Sequence, residues 1–136
     1  MIDLFASTTV PVLEQSLQFA QARHQVLAGN IANMDTPGYK IRDLSVDEFQ
    51  SRLKEAIEAR DRTTQSLSEN SSIQERDSAM RKVKEATKDI LYHDKSDLSL
   101  EKQVLQISKN EGMHNMAIAI LTSQFRTLNV AISERV

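Results

Sequence analysis

Among the 136 residues there is no cysteine and no tryptophan, and there are only two Pro, three Gly, four Phe and two Tyr. Without Cys the chain has no disulfide, no thiolate nucleophile and no thiolate metal ligand, and cysteine pairing carries no information on compartment. The shortage of Gly and Pro excludes an all-β chain, which needs turn formers about every 8–12 residues. With so few aromatics the interior must come from Leu, Ile, Val, Met and Ala, a palette suited to helix on helix packing. An excess of one charge is also missing: 17 Lys+Arg against 19 Asp+Glu leave a net −2. The signs are mixed along the chain, so no basic stripe exists for a nucleic-acid backbone. No apolar run approaches the roughly 20 residues of a membrane span, and Met1 to Pro11 lacks the basic and continuous apolar regions of a cleaved signal peptide. If the chain leaves the cytoplasm, the expected route leaves its N-terminus uncut. Walker, dinucleotide and Gly-x-Ser-x-Gly patterns are absent and the acids are scattered, so neither catalysis nor a cofactor nor a metal is expected.

The length suits one structural unit, and two helical periodicities dominate it. Val10, Leu13, Leu17, Ala20, His24, Leu27 and Ile31 alternate by three and four, the narrow seam of a coiled coil. Thr9 is placed to cap this helix, Pro11 is tolerated in its first turn, and Asp35-Thr36-Pro37-Gly38 stops it, so it should run from about 9 to 34. The second series is longer: Leu100, Val104, Ile107, Glu111, His114, Ile118, Leu121, Phe125, Leu128 and Ile132. Ser96 or Ser99 caps its start. A further line through Met113, Met116, Ala117 and Ile120 widens the apolar stripe and predicts contact with more than one neighbour. The fold class is therefore all-α: two long terminal helices pair as an antiparallel coiled coil, with a partly flexible, short-helix insert between them. In domain terms, 1–40 and 97–136 form the coiled-coil unit and 41–96 the variable insert.

Within the insert, Ser45-Val46-Asp47-Glu48 fits a capping box, and Val46, Phe49, Leu53 and Ile57 make an amphipathic helix to about Arg62. The polar stretch Thr63 to Ser78 reads as a flexible loop. A weaker helical run follows through Met80, Val83, Ala86, Ile90 and Leu91, then the polar stretch from His93 to Asp97. Two further readings concern single residues. His24 and His114 sit on the seam, where a polar residue sets register; a shared metal site or a pH switch is the alternative, and no third ligand is placed beside them. Glu111 and His114 form a polar notch on one face. His93, Asp94 and Asp97 read as a solvated linker more readily than as a weak cation site, since no Gly shapes a loop there. Gly29 and Gly112, inside helices, suggest close helix approach.

The segment Asn30-Ile31-Ala32-Asn33, followed by Thr36-Pro37-Gly38-Tyr39, resembles the N-terminal signature of the flagellar rod and hook proteins. Its physics is independent of the likeness. Asn30 and Asn33 put amides on the last helical turn, Pro37-Gly38 suits the centre of a type II turn, and Tyr39 stands at the mouth of the reversal. Arg42-Asp43-Leu44, the Asp97 to Glu101 entry and the long last helix add to the resemblance, which covers about 28–44 and 97–132 and leaves the middle out. It implies a structural subunit of the bacterial flagellar basal-body rod, in its proximal part, whose terminal helices polymerise around an export channel. The seam residues Leu13, Leu17, Ala20, His24 and Leu27 would pair with Leu100, Val104, Ile107, Ile118, Leu121, Phe125, Leu128 and Ile132. Implied partners are further copies, other rod proteins, the membrane-ring protein with its rod adaptor, and the type III export apparatus. Implied location is the periplasm-spanning rod. Rival readings are a soluble coiled-coil adaptor or export chaperone, which has no need of the Asn-x-Ala-Asn turn, and a histidine phosphotransfer domain, whose His would lie on a wet face instead of on a seam.

Overall fold

A computed structural model describes residues 9–65, 81, 83, 91–93 and 99–133. Their elements, in chain order, are α1 (Val10–Ala32), β1 (Arg42–Leu44), α2 (Val46–Gln65), β2 (Leu91–His93) and α3 (Leu100–Ser133). Pro11 stands in the first turn of α1, where its missing N–H removes no helical bond. Thr9 precedes the helix and its carbonyl accepts from Leu13 N–H at 3.1 Å. Its hydroxyl makes no cap and accepts instead from the Gln124 amide of α3. At the start of α3 it is Ser99 that precedes the helix, its carbonyl taking the Gln103 N–H at 3.2 Å. The Ser99 hydroxyl donates to Glu101 and holds that carboxyl below its ordinary pKa.

The two long helices pack together and are antiparallel. Bonds join Thr9 to Gln124, Ala20 to Asn110, Arg23 to Gln106 and Asn30 to Gln103, so one number falls as the other rises. At 1.5 Å per residue α3 is about 50 Å long, and Phe125 to Ser133 run on past the level of Thr9.

The face that α3 turns to α1 differs from the apolar seam. Gln103, Asn110 and Ala117 are buried, with Gln124 half-buried, each seven residues from the last; Ile107, His114 and Leu121 are half-buried between them, and Leu128 is half-buried one turn further on. Leu100, Val104, Glu111, Ile118, Phe125 and Ile132 lie exposed. On α1, Ala20 and Leu27 are buried, Val10, Leu13, Leu17 and Ile31 half-buried, and His24 exposed. In the isolated chain the contact line is thus turned one position toward the N-terminus at alternate steps, from Val104 to Gln103, Glu111 to Asn110, Ile118 to Ala117 and Phe125 to Gln124. Hydrogen bonding is the physical reason: the buried polar groups of α1 need partners, and an unpaired one costs about 1–3 kcal/mol.

The other side of α1 carries the apolar core. Phe19, Leu44, Phe49, Ala56 and Val83 are buried together, with Ala22, Val26, Val46 and Leu53 packed around them. The Phe19 and Phe49 rings stack with centroids 4.0 Å apart. This core joins α1 to the middle of the chain. Glu48 N–H donates to Ser45 Oγ at 3.2 Å, while the Glu48 side chain pairs with Arg52, so half of the expected capping box forms. The helix continues to Gln65, three residues past Arg62, over the first part of the stretch read as a loop; 66–78 lie outside the described residues. Arg81 and Val83 are helical. Met80, Ala86 and Ile90 are outside the described residues, and Leu91, read as the end of that helical run, instead begins a strand. β1 and β2 are antiparallel, with Arg42 opposite His93, Asp43 opposite Tyr92 and Leu44 opposite Leu91. Asp94, Asp97 and Ser96 are outside the described residues. Among the described residues a Cβ built on Gly29 or Gly112 meets nothing within 4 Å, so neither glycine marks a close approach of the described helices.

Two outcomes follow for the isolated chain. Phe19→Ala should cost about 3–5 kcal/mol in urea unfolding, as loss of a buried ring does; a cost under about 0.5 kcal/mol would dissolve the α1–α2 core. Gly112→Ala should raise stability by about 1 kcal/mol, since the methyl meets open space and Gly is the poorer helix former.

Candidate assembly site

Where α1 ends, the chain reverses through two successive hydrogen-bonded turns. Asn33 N–H and Asn33 Nδ2 both donate to the Gly29 carbonyl, at 3.1 and 2.8 Å, tying off the last helical turn. Thr36 N–H reaches Asn33 O at 3.0 Å and Tyr39 N–H reaches Thr36 O at 3.1 Å. Pro37 and Gly38 occupy the centre of this second turn, and Gly38 has φ 78°, the left-handed value that a type II turn requires of its third residue. Thr36, Pro37, Gly38 and Ala32 are exposed, and Ile31 and Tyr39 are half-buried. A Cβ at Gly38 would find space but not a comfortable backbone.

The reversal is held from inside by Asn30, which is 1% exposed. Its Nδ2 donates to Arg42 O at 2.6 Å and to Gln103 Oε1 at 3.2 Å. Its Oδ1 accepts from Arg42 N–H at 3.1 Å and from the Tyr39 hydroxyl at 3.2 Å. An amide side chain has two donors and two acceptor sites, so the full capacity of Asn30 is used. One side chain thereby fastens β1, the turn and α3 to the end of α1.

Two turns earlier a second polar node repeats the arrangement. Arg23, 4% exposed, binds Asp43 with both Nε and Nη2, at 2.8 and 2.7 Å, and Nη2 also donates to Gln106 Oε1 at 2.9 Å. Asp43 Oδ1 takes the Leu44 N–H as well, at 2.7 Å. A buried guanidinium is tolerable only when paired in this way, and the fork geometry of Arg matches a carboxylate. One turn further toward the N-terminus, Asn110 Nδ2 of α3 donates to the Ala20 carbonyl at 2.7 Å. Among the described residues Asn110 Oδ1 has no hydrogen-bond partner, and Asn110 lines a cleft of about 420 Å³ with His24, Glu111 and His114. The helix pair does bring the two histidines to one cleft. Among the described residues no three His, Asp or Glu are grouped closely enough to hold a metal.

Arg23, Gln103, Gln106 and Asn110 were missed by a search for apolar seams. A signal existed: Ser16, Arg23 and Asn30 on α1, and Gln103, Asn110 and Gln124 on α3, recur at seven or a multiple of it. Apolar side chains on the flanks of α3 are left exposed in compensation. Every large hydrophobic residue exposed among the described residues lies on α3, with Leu100, Val104, Ile118, Phe125 and Ile132 along one flank and Met113, Met116 and Ile120 along another.

A helix pair with a polar inner seam, exposed apolar side chains on α3 and a clamped turn is the architecture of a structural, assembly-type protein. The model of the family described as flagella basal body rod protein matches residues 12–40, the stretch from the first turn of α1 to the far side of the reversal. Similar proteins are the flagellar basal body rod protein FlgB of Salmonella typhimurium, 27% identical over 124 residues, 83% of this chain and 84% of that one. FlgB of Bacillus subtilis is 26% identical over 93% of this chain and 95% of its own length. FlgB of Aquifex aeolicus is 49% identical over a shorter stretch, 32% of this chain and 33% of that one. No solved structure matches. The chain is thus similar to flagellar basal body rod proteins, over its first helix and turn by the family model and over most of its length to FlgB.

The clamp makes a graded prediction for unfolding of the isolated chain. Tyr39→Phe removes one hydroxyl bond and should cost about 1 kcal/mol, whereas Asn30→Ala strands several partners at about 1–3 kcal/mol each. Equal, small losses for both would mean that Asn30 does not hold the reversal.

Proposed function

We propose that the chain is a subunit of the proximal rod that polymerises through its terminal helices, residues 1–40 and 97–136, into a drive shaft around the export channel. Its partners are further copies and other rod proteins, with the membrane-ring protein and its rod adaptor at one end. It reaches the periplasm-spanning rod through the type III export apparatus without signal cleavage. The observation that carries this reading is the exposed apolar face of α3. Leaving such residues in water forgoes about 25 cal/mol for each Å² that could be buried, and large apolar side chains exposed together along a helix flank support a partner site. Leu100, Val104, Ile118, Phe125 and Ile132 serve between subunits in this reading, while Leu13, Leu17, Ala20, Leu27, Ile107, Leu121 and Leu128 serve nearer the helix pair. The 30–39 turn, with Ile31, Ala32, Thr36 and Pro37 outward, keys one subunit to the next.

Deletion of the gene should abolish filaments beyond the basal ring, and wild type should restore them. Ile118→Glu/Ile132→Glu should fold with unchanged helicity and a stability within about 0.5 kcal/mol, because both sites are exposed, and should fail to restore motility. Normal flagella in the deletion strain would return a soluble adaptor to the front.

A further inference from the structure

We draw no further inference here: the strongest candidate, the open apolar groove of about 260 Å³ between α1, α2 and α3 lined by Leu13, Phe19, Phe49, Leu53, Met116 and Ile120, carries nothing because nothing in the structure shows what covers it.

Discussion

Asn30 lies at the point where the end of α1, the returning strand β1 and the first turns of α3 come together, and it is shielded from water. A buried amide with any of its valences unfilled is a liability of some kcal/mol, so its four bonds fix three segments at once: Tyr39 of the turn, both backbone groups of Arg42, and Gln103. Placing Arg42 places Asp43, which fills the guanidinium of Arg23 seven residues before Asn30. Placing Gln103 sets the rotation of α3, and with it the positions of Gln106 and Asn110 opposite α1. The turn that carries the family resemblance is thus mechanically continuous with the helix pair.

The consequence is an arrangement in which polarity and burial are partly exchanged. Inside the helix pair lie Arg23, Asn30, Gln103 and Asn110; outside lie most of the large apolar residues of α3. Polar pairs contribute little net stability compared with apolar packing, but they reject every rotation and stagger that leaves a donor or acceptor bare. Stability of the single chain comes from the other flank of α1, through Phe19, Phe49 and Val83. The middle of the chain is accordingly tied to α1 by the apolar core and by the β1–β2 pair. The single chain thus combines a modest core with apolar side chains left exposed on α3, the division of labour that the proposed assembly would require.

Much of this could be read without coordinates. The helix starts at Pro11 and near Ser99, the stop before Thr36, the Pro37-Gly38 turn and the amphipathic stretch after Ser45 rest on local rules of backbone geometry, which act over a few residues. The strand at Leu91 to His93 was not legible, because three residues show no periodicity and its partner lies about fifty positions away. Nor were the two glycines, whose surroundings in space have no trace in sequence.

By itself, then, the sequence determined that the chain is helical, that two long terminal helices flank a middle insert with a reversal at 30–40 ending the first, and that these helices carry more apolar surface than one pair can hide. Periodicity and turn chemistry are properties of neighbouring residues, so they survive without knowledge of the fold. Tertiary structure alone decided which face of α3 meets α1. Spacing offered Val104, Ile118 and Phe125, and the chain uses Gln103, Ala117 and Gln124, because the partners of Asn30, Arg23 and the Ala20 carbonyl come from a distant segment. Satisfying buried hydrogen bonds is a requirement on three-dimensional neighbours, and no one-dimensional pattern encodes who those neighbours are.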